Sequence, residues 1–317
     1  MTISRIVLVC GALAGMALAQ GGPMNTQGGN PQATSQQQQQ PAGHQATQQQ
    51  PAQQEPAATT ATQTPAQGAQ QPPTQTPTTP VKRQPQAKTQ DEYKAYQEAA
   101  AKPDPTSLEQ AANDFATKYP TSELRSVLFQ REMTMYQASN NAEKTIEAGK
   151  KVIAIDPDNA AALVTVALVI ANKTREGDLD RDERMAEASK YANHALESID
   201  NGTGIPAGTA EDKVPMFKEL VRSMAYSSLG TVEFNRKNYP QAETYLRKSV
   251  QNSTLQPDPV TWLQLSLALD RENKYSDALQ AANKCIEIAQ NHPAGSYCAE
   301  ERDRLAKLAG PAATTPK

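Results

Sequence analysis

Two cysteines, three alternating aspartates and three histidines are the residues of this chain whose types and spacing could do chemistry. Cys285 and Cys298 flank a turn at Asn291-His292, so two antiparallel helices would set them level with each other. In an oxidising compartment such a pair can close a disulfide; otherwise it is two packed thiols. Asp178, Asp180 and Asp182 alternate as the ligands of a calcium loop do. The required glycine position holds Glu183, however, and the twelfth position is Ser189 rather than glutamate, so a solvated acidic loop is expected and no metal site. His44, His194 and His292 lie far apart and give no metal spacing. The chain has no nucleophile elbow, P-loop or dinucleotide fingerprint. No cofactor and no catalysis are expected.

The element that organises the rest is Tyr226 to Val250, which returns 36 positions later as Trp262 to Ile286. Tyr226 returns as Trp262, Leu229 as Leu265, Tyr239 as Tyr275, Ala242 as Ala278, Lys248 as Lys284 and Val250 as Ile286. The spacing within each copy is helical, with a polar turn at Asn235–Asn238 and again at Arg271–Lys274. A helical hairpin of this kind cannot bury its apolar face alone and needs a neighbour of the same build.

The pattern resembles the tetratricopeptide repeat, which places an aromatic at repeat position 4, Leu at 7, a small residue at 8, Tyr near 17 and Ala at 20. The first copy supplies Tyr226, Leu229, Gly230, Tyr239 and Ala242; the second supplies Trp262, Leu265, Ser266, Tyr275 and Ala278. Both copies lack the family's proline at position 32, and the period is longer than the family's. Phe129 fits position 4 of an earlier copy, which closes in Lys150-Lys151-Val152-Ile153-Ala154-Ile155-Asp156-Pro157-Asp158-Asn159. There Pro157 stops one helix and Asn159 can cap the next. Upstream, Ala111, Phe115, Tyr119, Pro120 and Ser122 are spaced like the end of a repeat in bacterial envelope members of the family.

The resemblance implies a right-handed superhelical array of antiparallel hairpins, an α-solenoid, whose first helices line a concave groove for peptides. By register the groove residues would be Gln130, Thr134, Asn172, Ser227, Thr231, Asn235, Leu267, Asp270 and Arg271, with Thr165 added from the neighbouring position 6. The Lys, Asn and Arg set with which the family's best-known clamp holds a C-terminal carboxylate is absent. The resemblance also makes the positions of Cys285 and Cys298 interior ones.

Composition divides the chain. Residues 20–90 contain no Leu, Ile or aromatic residue and are rich in Gln, Pro, Thr and Ala. They bury too little to offset ordering costs of about 1–2 kcal/mol per residue, so a disordered spacer is expected, reaching roughly 45–50 Å. Before it, Met1–Ala19 has one charge at Arg5, an apolar run Ile6–Leu18 and the small-x-small end Ala17-Leu18-Ala19. That is the three-part pattern of a secretory signal, with cleavage expected near Ala19-Gln20, which would put the mature chain in the periplasm or elsewhere in the envelope without an integral span. The run is short for a membrane anchor, and Cys10 lacks the context of a lipoprotein signal. Residues 310–317 form a second short tail.

The foldable part, 91–309, is therefore all-α, with hairpins at about 91–120, 123–157, 160–199, 216–252 and 257–291 and a capping helix at 296–308. The nearly all-apolar run 160–172 should be its enclosed centre. From 91 to 310 there are 26 Lys/Arg against 33 Asp/Glu, with no basic cluster, which argues against nucleic acid as a partner. The expected function is a non-catalytic scaffold that binds a protein or peptide. Two other readings stand beside it. One is a processing subunit that uses the long connections at 173–182 and 200–214; the other is a wall-associated protein that acts through its spacer.

Overall fold

The computed structural model describes residues 82–309. The expected signal, most of the spacer and the tail lie outside the described residues. Those residues are all-α, with eleven α-helices and no strand among them. The helices are α1 (Gln90–Ala100), α2 (Pro105–Lys118), α3 (Leu124–Ala138), α4 (Ala142–Ile155), α5 (Ala160–Lys173) and α6 (Arg181–Asp200), followed by α7 (Val214–Asn235), α8 (Tyr239–Gln251), α9 (Pro259–Arg271), α10 (Tyr275–Ala289) and α11 (Ala294–Ala309). Each packs on its neighbour in sequence order, which is the arrangement of a helical repeat array. No helix among the described residues is long and apolar enough to cross a membrane.

Local chemistry sets the helix starts. Asp104, Asn141, Asn159 and Asp258 each accept a hydrogen bond from a backbone N–H of the first turn, so every one of these helices opens on a side-chain cap. Pro105 and Pro259 stand at the first helical position, where a missing N–H costs nothing. Three hairpins turn in the same way. Asn140, Lys237 and Asn273 adopt positive φ (57°, 64° and 61°), and the next residue's N–H returns to a carbonyl of the first helix. The three returning bonds are Asn141 to Tyr136 (2.9 Å), Asn238 to Glu233 (2.9 Å) and Lys274 to Leu269 (3.0 Å). This is a left-handed C-terminal cap repeated at α3–α4, α7–α8 and α9–α10.

The shared turn fixes a register between the hairpins. Leu229 and Leu265 are buried in equivalent places, as are Ala242 and Ala278. Tyr239 and Tyr275 each open a second helix. Tyr226 stacks on Tyr245 at 6.3 Å, and Trp262 packs where the α8–α11 core meets that around Cys285. In the α3–α4 hairpin Phe129 takes the place of Tyr226, and Lys151 lies over it as Lys248 lies over Tyr226, at 5.2 and 5.4 Å.

Helix α5 is buried without interruption from Ala160 to Ala171, because α4, α6 and α7 enclose it. The packed chain starts before Asp91. Residues 82–89 carry no regular secondary structure, yet Ala87 packs on the core that includes Leu108, Phe115, Leu128 and Val152, and Lys82, Arg83 and Lys88 bond to residues of the array.

Candidate functional site

The residues expected to line a groove divide into two groups. Thr165, Ser227 and Thr231 are buried, at 1%, 6% and 6% exposure, and so do not face solvent. The reason is the close contact of α5 with α7, which seals the first helices together along this stretch. The hydroxyls serve that contact. Ser227 Oγ lies 3.1 Å from Thr261 Oγ1, and Thr231 Oγ1 donates to Gln264 Oε1 at 3.1 Å. Gln264 Nε2 in turn donates to Asn172 Oδ1 at 3.4 Å. Asn235 Nδ2 donates to the Ala171 carbonyl at 3.3 Å, while its own carbonyl accepts from Arg181. A polar seam thus runs from α5 through α7 to α9. Thr165 Oγ1 is buried beside it with no hydrogen-bond partner among the described residues.

The second group keeps access to solvent. Gln130 and Thr134 are half-buried on α3, which makes no comparable contact with α5. The Gln130 side-chain oxygen lies 3.5 Å from Asn159 Nδ2, and Thr134 caps back to the Gln130 carbonyl at 3.0 Å. Asn172, Asn235 and Leu267 are half-buried, and Arg271 is exposed. Asp270 accepts from Arg304 of α11 at 2.6 Å, which ties the closing helix to α9. The Glu301 and Asp270 carboxylates hold the Arg304 guanidinium firmly in its charged form.

Cys285 and Cys298 are joined as a disulfide, with Cα atoms 5.9 Å apart, across the α10–α11 turn. Asp178 spends its carboxylate on the Arg175 N–H (2.8 Å), as a turn cap, and among the described residues no group of His, Cys, Asp and Glu is arranged to hold a metal. His194 Nε2 lies 2.7 Å from Asp158 Oδ1, and this contact holds the Asp158 carboxyl below its ordinary range. His292 Nδ1 accepts from the Ala294 N–H at 3.1 Å and so opens α11.

One group escaped the sequence reading. Glu132 is fully buried on α3, with Lys151 Nζ 3.5 Å from Oε1 and no partner for Oε2 among the described residues. Burial pushes its carboxyl above the usual range, against the pull of Lys151. Beside it, Glu109 accepts from Lys144 at 2.6 Å and from Tyr136 at 2.5 Å. Burial opposes the Glu109 charge, but these two donors outweigh it and hold the carboxyl below its ordinary range. The signal for Glu132 was present. Counted from Phe129 as position 4, it occupies the place of Leu229 and Leu265.

No protein-family model matches this chain, and no curated protein is similar to it.

Proposed function

We propose that this chain is an exported, non-catalytic binding scaffold of the bacterial cell envelope, built as a tetratricopeptide-type superhelical array. The observation that carries the reading is the recurrence of one turn and one set of buried positions in three hairpins, at Asn140, Lys237 and Asn273. Arrays of that kind offer long surfaces on stacked first helices and act by shape and hydrogen bonding. The partner is an extended peptide or a helix of another protein. It contacts the residues that keep access to solvent: Gln130 and Thr134 on α3, then Asn172, Asn235, Leu267 and Arg271.

The test is affinity capture from envelope extract with the full chain, beside a variant carrying Thr134→Arg and Arg271→Glu. A protein recovered by the first bait and lost from the second supports the groove; equal recovery with both sinks it. Buried Thr231 is unsuitable for this purpose, since an arginine there would break the α7–α9 seam rather than block a ligand. Export is checked separately: a mature N-terminus at Gln20 is expected, and an intact Met1 in the envelope fraction would refute cleavage.

A further inference from the structure

Residues 82–88, Lys-Arg-Gln-Pro-Gln-Ala-Lys, cross the array along one edge, where the hairpins join. Lys82 Nζ bonds both carboxylate oxygens of Asp156, at the α4–α5 junction, at 2.5 Å. Arg83 pairs with Glu123, just before α3, and Lys88 Nζ donates to the carbonyl and hydroxyl of Thr121, both at 3.1 Å. The Gln84 side chain lies against Gly208 in the α6–α7 connection, so closely that a Cβ on that glycine would sit 2.4 Å from Gln84 Nε2. Gly208 has φ of 77°, a conformation that glycine adopts freely. Three successive junctions therefore hold one non-helical peptide, and Pro85 favours the extended backbone it needs. Asp158, which also faces Lys82, and Glu123 and Asp156 give that edge an acidic character matched to the peptide's bases.

We propose that this edge is a docking track for extended peptides bearing adjacent basic residues, which residues 82–88 of the chain occupy in cis. Asn159 Nδ2 bonds both Gln130 and Asp156, so the track adjoins the groove; it is carried by the contacts of residues 82–88 and does not depend on the reading given above. Its ion pairs are solvent-accessible, and such pairs are individually weak and screened by salt. The segment stays in place because it runs directly through Thr89 into α1, which keeps it at a high local concentration beside the track. A partner peptide with the same base spacing and a stronger hold would displace it.

The probe is a fluorescein-labelled peptide of sequence 82–88, followed by anisotropy against three full-length chains. One is unaltered. In the second, residues 82–88 are replaced by alternating Gly and Ser, which empties the track. The third adds Asp156→Lys to that replacement. Helical content and melting temperature confirm that each chain is folded. A milder Lys82→Gln, Arg83→Gln chain substitutes should the replacement unfold α1. The expected result is binding at least tenfold tighter to the emptied chain than to the unaltered one, weakened as salt rises and lost with Asp156→Lys. Equal binding to the emptied and unaltered chains overturns the proposal, as does binding that ignores Asp156→Lys or a peptide with Glu in place of both leading bases.

Discussion

In the α7–α8 hairpin Gly230 on the first helix leaves room for Leu246 on the second. In the α3–α4 hairpin the large residue, Met133, stands on the first helix and the glycine, Gly149, on the second. The shared turn makes the two pairs equivalent. A Cβ on Gly230 would lie 2.6 Å from Leu246 Cγ, and one on Gly149 would lie 3.1 Å from Met133 Sδ and 2.3 Å from Val166 Cγ2 of α5. The crossing of the two helices fixes how much volume they can share, and either helix can supply it. A second exchange is chemical rather than steric. Where α7 has Leu229 in the core, α3 has Glu132, held by Lys151 from α4. At this one core position, therefore, one hairpin has a packed leucine and the other a buried carboxyl with one oxygen unpartnered among the described residues.

The largest effect expected from breaking this comparison is an exchange at the core position. Leu229→Glu should cost more than about 4 kcal/mol, since it loses a packed leucine and buries a carboxylate. Glu132→Leu should instead stabilise by about 1–2 kcal/mol at neutral pH, because Lys151 keeps partial access to water. Urea unfolding measures both; equal signs would mean that the two sites are not equivalent.

Next in size is the steric exchange. Gly230→Met alone should cost about 3 kcal/mol by overpacking, whereas Gly230→Met with Leu246→Gly should recover at least half of that loss. Additive losses in the double variant would show that the hairpins do not share one frame.

A smaller effect separates the hairpins by pH. The folded-state carboxyl of Glu132 titrates above its unfolded value. Its contribution is therefore fully present below pH about 4.5, the usual carboxyl value, and is lost as pH rises through the raised one. Glu109 and Asp158, held below their ordinary ranges, contribute in the opposite sense and lose stability as pH falls. The unaltered chain should thus lose stability relative to Glu132→Gln as pH rises from 4 toward neutrality. A flat difference would place Glu132 in water.

The smallest expected effect concerns the lysines. Lys248→Met removes a cation from above Tyr226 and Tyr245 and should cost about 0.5 kcal/mol. Lys151→Met also leaves Glu132 without its cation and should cost about 1–2 kcal/mol more at neutral pH. Thermal unfolding of the pair resolves that gap, and equal losses would remove the ion pair from consideration.

The helices and their pairing were legible because their causes are local. Asx caps, Pro at helix starts, and a 36-residue recurrence of aromatic, Leu and Ala positions act within one or two turns of chain. The apolar run of α5 likewise announced its burial. The candidate site was less legible. Ser227 and Thr231 have the types and register of groove residues, and Thr165 stands one position away, yet α5 closes on α7 and all three are buried. Nothing in a single hairpin sets how near the next hairpin's first helix will come. Glu132 was readable only once Phe129 fixed its register, and its lone cation comes from another helix.

By itself the sequence determined the all-α class and a succession of short helices packed in chain order, because propensity, capping and period are properties of short segments. Tertiary structure alone decided which side chains close on Gly149 and Gly230, which polar residues become a seam, that the two cysteines meet, and that Lys82, Arg83 and Lys88 find partners beside α3 and α5. Those outcomes depend on distances between segments that are far apart in the chain, and such distances are set by the packing of the whole array.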